Sequence, residues 1–463
     1  MEEKNKNHIS RRDILKTLGT GAAVSTAAFA GCGRTNRSSG TAGIDEAAAD
    51  KMTYRTNPRS GDKVSLLGFG CLRFPLRQRA GGKGTEIDQD VTNTLIDCAV
   101  AHGINYFDTA PMYIKGLSET ATGIALKRHR RDQFFIATKM STHEGNPAQR
   151  SREGSLAMYH QSFKVLQVDY MDYYLLHGVG LGGMKDYKQR FIDNGILDFL
   201  LQERESGRIR NLGWSFHGDI KVFDHLLAQD IKWDFAMIQL NYADWKNASG
   251  WNTNAEYLYG ELAKRNIPVV VMEPLRGGLL SRLNTVALAK LKQIRPESSP
   301  ASWGFRYAGT PENVLTVLSG MAFMEHLQEN IRTYSPFEPL IEQEYKVLEE
   351  VTQLLLRTDL IQCSECQYCM PCPYGLDIPA VFSHYNRCVT DESIPKSSQD
   401  ANYRRARRIF LIGYDRSVPK LRQASHCIGC GQCQPKCPQG IKISKEMARI
   451  DSFVEQLKQE KTF

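Results

Sequence analysis

The chain has 463 residues, of which 41% are hydrophobic and 24% charged, and its formal net charge is +8. This length allows more than one domain, and the composition is typical of a folded globular protein rather than a disordered or fibrous one. No basic stripe with interleaved aromatic residues is present, which argues against nucleic acid as a partner. The densest basic run, Arg404–Arg408, fits either a solvated helix face or a docking face for an acidic redox partner.

The N-terminus is predicted to be a targeting segment rather than part of a fold. Arg11 and Arg12 precede a weakly apolar run, and this pattern over residues 1–31 resembles a twin-arginine export signal. Such a signal implies export of a protein already folded around its cofactors, to the periplasm or the cell envelope. The alternative is an uncleaved tail. Residues 32–53 are predicted to form a flexible linker.

The end of the apolar run carries a second resemblance. Ala30-Gly31-Cys32 is similar to a lipoprotein processing site, which implies a lipid anchor at Cys32. Phe29 departs from that pattern, because a leucine is usual at its position. The apolar run itself is too short and too rich in small residues to predict a membrane span.

Residues 54–335 alternate apolar strands with amphipathic helices. Eight strands are predicted, at 64–70, 105–107, 134–139, 171–177, 211–215, 236–242, 269–274 and 314–320. This alternation indicates a parallel sheet, and eight units in about 280 residues favour a closed (β/α)8 TIM barrel over an open sheet. Gly68 and Gly70 begin the dinucleotide fingerprint of an open sheet, but Arg73 stands where its third glycine belongs.

Four chemically distinct side chains follow successive predicted strands. Asp108 and Tyr113 lie at and just after the end of one strand, whereas Lys139 and His177 end the next two. Each alone has an ordinary structural explanation, such as a helix cap, a loop aromatic, a strand-end cation or a core imidazole. Because parallel barrels gather their chemistry at the C-terminal ends of the strands, the four together predict an active site.

These side chains suit hydride reduction of a carbonyl. The reaction needs a proton donor at the developing alkoxide, and Tyr113 is the candidate. A phenol has a pKa of about 10, and the ammonium of Lys139 is expected to lower the pKa of Tyr113. Asp108 would hold Lys139 in place, and His177 would orient the carbonyl oxygen.

The same region resembles an aldo-keto reductase. The resemblance rests on FDTAPMY, ATK, YYLLH, GWSFH, IQLNY, EPLRGGLL and SGM with EHLQEN, in that order along the chain. It implies a TIM barrel that interconverts carbonyls and alcohols with NADP or NAD. It also implies that Asp108, Tyr113, Lys139 and His177 are the catalytic residues.

The resemblance also implies a cofactor site. Ser215 and Gln239 would contact the nicotinamide amide, and Glu329 and Asn330 would meet the adenosine end. The turn along the pyrophosphate would consist of Leu275, Arg276, Gly277 and Gly278.

Two departures from the family pattern bear on the cofactor. Met272 stands where many relatives place an aromatic ring against the nicotinamide. Ala322 and Phe323 replace the Lys or Arg that meets the 2′-phosphate of NADP. Arg276 either compensates for that missing cation or is a surface loop arginine.

Nine of the twelve cysteines follow residue 360, which favours metal binding over a disulfide scaffold. Two runs of four resemble a bacterial two-cluster ferredoxin. The first cysteine run is Cys363, Cys366, Cys369 and Cys372, and the second is Cys427, Cys430, Cys433 and Cys437, each followed by proline. The fourth cysteine of each run would ligate the other [4Fe–4S] cluster. Residues 361–463 are therefore predicted to be a small, mainly helical ferredoxin-like domain.

Several features around the cysteine runs allow alternatives. The first run has two residues rather than three before Cys372, and the spare Cys388 could compete with it as a ligand. Two structural zinc sites are the other reading, although zinc usually uses separated pairs of cysteines. Cys71 and Cys98 are predicted to be buried small hydrophobes. A linker, residues 336–360, should carry the amphipathic helix Glu342–Leu356.

The sequence thus predicts an exported iron–sulfur oxidoreductase with a small carbonyl or alcohol substrate. A membrane or periplasmic electron-transfer partner would exchange electrons with the clusters, and the nicotinamide would be carried out pre-bound. Hydride moves two electrons whereas a cluster carries one, and no flavin motif is recognisable in the sequence. The alternatives are a non-catalytic barrel serving as an electron-transfer or interaction module, and a catalytic barrel braced by structural clusters.

Overall fold

The computed structural model describes residues 51–459, apart from residues 83, 143–146 and 249–253. The predicted signal, Cys32 and most of the linker after it lie outside the described residues. The described residues belong to one compact unit. No helix among them combines the length and apolar character that crossing a membrane requires.

Eight parallel strands close into a barrel, which confirms the predicted TIM fold. The described residues form twelve strands, eight in the barrel and four outside it. In chain order they are β1 (Tyr54–Thr56), β2 (Lys63–Ser65), β3 (Leu67–Gly70), β4 (Leu76–Gln78), β5 (Thr85–Ile87), β6 (Tyr106–Asp108), β7 (Phe135–Met140), β8 (Met171–Val179), β9 (Ile209–Phe216), β10 (Phe235–Gln239), β11 (Val269–Met272) and β12 (Val314–Ser319). The barrel order is β3, β6, β7, β8, β9, β10, β11 and β12, and β12 pairs with β3. β1 with β2 and β4 with β5 form two antiparallel pairs outside it.

Helices alternate with the barrel strands and continue beyond them. They are α1 (Gln89–Ala101), α2 (Ser118–Leu126), α3 (Pro147–Arg150), α4 (Arg152–Leu166), α5 (Gly183–Tyr187), α6 (Ile196–Glu205), α7 (Ile220–Ala228), α8 (Ala255–Lys264), α9 (Thr285–Ile294), α10 (Pro300–Gly309), α11 (Met324–Tyr334), α12 (Glu342–Leu356), α13 (Ile378–Thr390), α14 (Tyr403–Ser417) and α15 (Ile443–Gln459). The predicted linker helix is confirmed as α12. Helix α1 begins at Gln89 because Asp88 caps it, accepting a hydrogen bond from the Val91 backbone.

Aromatic side chains fill the barrel interior. The rings of Tyr106 and Tyr173 meet edge to face at 5.0 Å, and Phe235 meets Tyr173 at the same distance. All nine residues of β8 are buried, as expected for a strand covered by the barrel interior on one face and by helices on the other. The packed interior leaves the C-terminal ends of the strands as the place for a site.

The C-terminal module, residues 361–459, has a core of its own. Helices α13, α14 and α15 enclose buried side chains that include Phe382, Phe410 and Met447. The predicted mainly helical character is confirmed. The basic run Arg404–Arg408 lies within α14.

Candidate active site and cofactor cavity

The four predicted catalytic residues lie together at the C-terminal ends of three neighbouring barrel strands. Asp108 ends β6, Lys139 lies one residue before the end of β7, and His177 lies near the end of β8. Tyr113 begins a short helical turn after β6. All four are buried, and Tyr113 is the most exposed at 8%.

A buried ion pair anchors this group. Lys139 Nζ donates to Asp108 Oδ1 at 2.6 Å and to the Thr109 carbonyl oxygen at 2.7 Å. Burial raises the pKa of the Asp108 carboxyl and lowers the pKa of Lys139, and each charge opposes the effect of burial on its partner. Lys139 Nζ also lies 4.9 Å from the centre of the Tyr113 ring. The pair therefore holds a fixed cation against the phenol.

The environment of Tyr113 favours the neutral form of its hydroxyl. Burial raises the pKa of Tyr113 well above its ordinary value, and the neighbouring Tyr368 and Asp108 raise it further. The pKa is therefore raised, whereas the sequence predicted that Lys139 would lower it, and burial is the largest cause of the difference. A neutral phenol is the form that can protonate a developing alkoxide.

His177 is held on both sides of its ring. Ser141 Oγ lies 2.6 Å from Nδ1, and the Tyr368 hydroxyl lies 3.2 Å from Nε2. The rings of Tyr113 and His177 meet edge to face at 5.8 Å. Tyr368 also makes a side-chain hydrogen bond with Tyr113. Tyr368, which lies between two cysteines of the first run, thus reaches the predicted active site of the barrel.

A cavity of about 410 Å³ runs from Asp108 and Tyr113 along the ends of β11 and β12 to α11. Five of the eight predicted cofactor-binding residues line it: Leu275, Gly277, Gly278, Glu329 and Asn330. Its wall also includes the three positions that depart from the family pattern, Met272, Ala322 and Phe323.

The other three predicted cofactor residues have partners within the protein. Ser215 Oγ accepts a hydrogen bond of 2.9 Å from the Gly178 backbone. Gln239 donates to Asp244 Oδ2 at 2.5 Å, and Arg276 pairs with Asp244 Oδ1 at 2.7 Å. Arg276 is 6% exposed, so it is a buried ion-pair partner rather than a surface loop arginine.

Unsatisfied polar atoms of cavity-lining residues fit a bound dinucleotide and substrate. Asp108 Oδ2 and His217 Nδ1 are buried without a hydrogen-bond partner among the described residues. Both residues line the cavity. Burial lowers the pKa of His217 to about 4, which leaves a neutral imidazole. Buried polar atoms are rarely left unpaired, so a ligand is the natural partner for these two.

The C-terminal module covers the cavity from the side opposite the barrel. Ser364, Cys366, Tyr368 and Pro438 all contribute to the cavity wall. Arg73 donates to the Ser364 carbonyl oxygen at 2.6 Å. Cys366 belongs to the first cysteine run, so a predicted cluster ligand borders the same space as Tyr113.

The backbone of the pyrophosphate turn meets the module directly. Gly277 has a φ of 68°, and a Cβ added there would lie 2.2 Å from the Ser364 carbonyl oxygen. The position therefore requires glycine both for its left-handed conformation and for this close approach.

A second contact joins the module to the amide end of the cofactor site. Gln439 Nε2 lies 3.1 Å from Gln239 Oε1 and 3.1 Å from Glu273 Oε2. Glu273 also accepts a hydrogen bond of 3.0 Å from Ser364 Oγ, and burial raises the pKa of its carboxyl to about 7. Sequence reasoning missed these module residues, and their only signal was their position beside the cysteines.

The fourth cysteine of each run acts on thiols of the other run, and Cys433 of the second run also acts on Cys369. Cys437 of the second run acts electrostatically on the three thiols Cys363, Cys366 and Cys369. Cys372 of the first run acts on Cys433. Among the described residues, no three Cys, His, Asp or Glu side chains are grouped to hold a single metal ion.

The three described cysteines outside the two runs are buried. Cys388 lies 3.7 Å from His384 Nε2, and the groups that act on its thiol are Ser393, Asp391 and Arg387 rather than another cysteine. Cys71 and Cys98 are 0% and 2% exposed, as predicted for small hydrophobes.

Comparison with known proteins also separates the barrel from the C-terminal module. Residues 67–353 match the aldo/keto reductase family, and residues 362–443 match the 4Fe-4S dicluster domain. The chain is 36% identical to protein tas of Escherichia coli (strain K12) over 203 residues, which cover 39% of this chain and 56% of that protein. It is 26% identical to the uncharacterized oxidoreductase YqkF of Bacillus subtilis (strain 168), over 63% of this chain and 93% of that protein.

A solved structure supports the same assignment. The holo form of aldo-keto reductase AKR11C1 from Bacillus halodurans aligns with a TM-score of 0.50 and 25% identity. The alignment covers 65% of this chain and 96% of that one. With the closed barrel and the family match over residues 67–353, the chain belongs to the aldo/keto reductase family of oxidoreductases and carries a 4Fe-4S dicluster domain after the barrel.

Proposed function

We propose that the protein is an oxidoreductase that interconverts a small carbonyl and its alcohol in the barrel and couples this reaction to two [4Fe–4S] clusters. One observation carries the proposal. Tyr113 of the barrel and Cys366 of the first cysteine run line the same cavity. The proposed hydride site and a predicted cluster ligand therefore share one cavity.

The cavity fits a nicotinamide dinucleotide, NADP or NAD. Leu275, Gly277 and Gly278 would lie along its pyrophosphate, and Glu329 and Asn330 would meet its adenosine end. When bound, the dinucleotide would supply or accept hydride at the substrate carbon. Held by the two cysteine runs, each cluster would carry one electron.

The barrel residues would perform the proton chemistry. Tyr113 would donate its proton to the substrate oxygen in reduction and take it back in oxidation. The Lys139 ammonium would stabilise the phenolate that forms, because Asp108 fixes it beside the ring. His177 Nε2 would position the substrate oxygen.

The second cysteine run suits electron exchange with another molecule. Cys430 is exposed, and the neighbouring Ile428 is 64% exposed. We infer a membrane or periplasmic redox partner at this surface. This agrees with the export and envelope location that the N-terminal motif implies. Changing Arg11 and Arg12 to lysine should retain the protein in the cytoplasm, whereas the same change at Arg34 and Arg37 should not.

The proposal is tested by anaerobic titration of the holoprotein with NADPH and then NADH, following nicotinamide and cluster absorbance together. Bleaching of the clusters as nicotinamide is oxidised would support coupling. Carbonyl turnover without bleaching of the clusters would mean that the barrel reacts independently of them, and it would contradict the proposed coupling. In Tyr113→Phe, turnover should fall at least a hundredfold, while Tyr374→Phe, at an exposed site, should leave it unchanged.

A second candidate function is an electron-transfer or interaction module without carbonyl chemistry. One observation favours it, because Tyr368 already makes the contacts to Tyr113 and His177 that a substrate oxygen would need. This candidate would be favoured if Tyr113→Phe turned over carbonyls as fast as wild type, or if neither wild type nor any variant turned them over.

A further inference from the structure

The Tyr368 hydroxyl makes both contacts that the proposed chemistry requires of a carbonyl oxygen. It lies 3.2 Å from His177 Nε2 and makes a side-chain hydrogen bond with Tyr113. Its ring meets the His177 ring edge to face at 6.3 Å. A substrate oxygen cannot occupy this place while the phenol is there.

Tyr368 is delivered by the loop that would wrap the first cluster. It lies between Cys366 and Cys369, so a shift of the Tyr368 backbone that withdraws the ring would also move the segment that carries two predicted cluster ligands. Glu365 and Gln367 have φ values of 54° and 65°. Residues other than glycine rarely adopt this left-handed conformation, so the loop is held in an unfavourable shape.

A second residue of the C-terminal module occupies the end of the site that is predicted to bind the nicotinamide amide. The carboxamide of Gln439 contacts Gln239, the residue that family resemblance assigns to the nicotinamide amide. Gln439 follows Cys437 and Pro438 of the second cysteine run. Both occupants therefore come from the C-terminal module, Tyr368 next to Cys369 and Gln439 two residues after Cys437.

We propose that Tyr368 is an internal ligand of the hydride site, which a carbonyl substrate must displace, so that substrate binding and the conformation of the first cluster loop form one equilibrium. The inference rests on the proposed function and assigns Tyr368 as a residue that determines substrate affinity. An internal ligand lowers apparent affinity by the fraction of molecules in which the site is open. Coupling is reciprocal, so a bound carbonyl must also change the surroundings of the cluster.

The test uses full-length holoprotein with benzaldehyde as the probe. Its dissociation constant is measured by equilibrium titration without turnover, for wild type, Tyr368→Ala and Tyr368→Phe. The Ala variant removes ring and hydroxyl and should bind about tenfold more tightly, and the Phe variant about threefold. Iron content and cluster absorbance establish that each variant keeps its clusters. Tyr374→Phe, at an exposed position of the same segment, should bind as wild type does.

A second readout follows the clusters. Benzaldehyde should change the electron paramagnetic resonance spectrum of the reduced wild-type protein and should leave that of Tyr368→Ala nearly unchanged. Equal or weaker aldehyde binding in both Tyr368 variants, with clusters intact, would overturn the inference, as would absence of binding in every protein. Tighter binding in the variants without turnover in any of them would uphold it and defeat the proposed carbonyl chemistry. Carbonyl turnover with unchanged benzaldehyde binding in the Tyr368 variants would overturn the inference and leave the proposed carbonyl chemistry standing.

Discussion

Lys139 and Asp108 form an ion pair of 2.6 Å in which both side chains are almost fully buried. Neither charge can be removed alone without leaving the other unpaired in the interior. Lys139→Met and Asp108→Asn should each lower the free energy of unfolding by about 3–5 kcal/mol. The double variant should recover most of this loss, because no unpaired charge remains, yet stay inactive.

Denaturant unfolding and turnover together check this prediction. The charge pair at Lys264 and Glu261 is a suitable control, since Lys264 is 70% exposed. Its Lys264→Met variant should lose at most about 1 kcal/mol. If the double variant regained activity, the pair would have only a structural role.

Ser141 is expected to position His177. Its hydroxyl lies 2.6 Å from Nδ1 and is buried, so Ser141→Ala removes the contact that fixes the ring. The imidazole would then sample other orientations, and kcat/KM for a carbonyl should fall roughly tenfold. Ser141→Thr should restore much of it. Equal loss in both variants, or a parallel loss of stability, would indicate a packing effect instead.

Glu344 on α12 gives the protein an acid-sensitive contact with the barrel helix α10. Burial alone would raise the pKa of this carboxyl, but hydrogen bonds from Arg306, the Ile341 backbone and Arg295 lower it to about 2. A group with a lowered folded pKa stabilises the fold above its unfolded pKa. This contribution should be complete above pH 4.5 and disappear as the pH falls toward 2.

Glu344→Gln should therefore cost about 2 kcal/mol at neutral pH, after allowing for solvent screening, and very little near pH 2. Unfolding curves from pH 7 to 2 measure this difference. Glu342→Gln is the matched control, because Glu342 on the same helix is 84% exposed. A constant gap between wild type and Glu344→Gln across this range would contradict the assignment.

Gly277 and Gly278 provide a matched pair for testing how the C-terminal module contacts the barrel. Both have positive φ, so alanine strains the backbone at either position. Only at Gly277 would the new Cβ collide with Ser364. Gly277→Ala should therefore make the segment after α12 more sensitive to limited proteolysis, and Gly278→Ala should not. Equal sensitivity would mean that the contact contributes little to docking.

Cys372 and Cys388 can be separated by iron analysis. Cys372 acts on Cys433, whereas the groups that act on Cys388 include no cysteine. Cys372→Ser should lower the iron content from about eight to about four atoms per chain, and Cys388→Ser should leave it unchanged. The opposite pattern would assign Cys388 as the ligand.

The residues at strand ends could be predicted from the sequence because a parallel barrel brings them to one face whatever their spacing along the chain. Asp108, Lys139 and His177 follow this rule. The pKa of Tyr113 could not be predicted, since it depends on burial by a distant part of the chain. Burial is the largest cause of the raised pKa, and Tyr368 adds to it.

The contacts of the C-terminal module were beyond sequence reasoning for a related reason. Gln439 and Gln239 are 200 residues apart, and no periodicity pairs them. Tyr368 reaches His177 through a loop with left-handed Glu365 and Gln367, and neither residue type signals that conformation. Arg276 had two sequence interpretations, and neither included the buried Asp244 that holds it.

The position of Cys366 in the cavity wall has a consequence for maturation. With the module docked, Cys366 of the first run lines the barrel cavity, while Cys430 of the second run is exposed. A scaffold protein that delivers iron and sulfide needs physical access to the thiols it loads. The first cluster would then have to be inserted before docking, whereas the second could be inserted at any time. Docking of the module on the barrel would thereby wait for assembly of the first cluster.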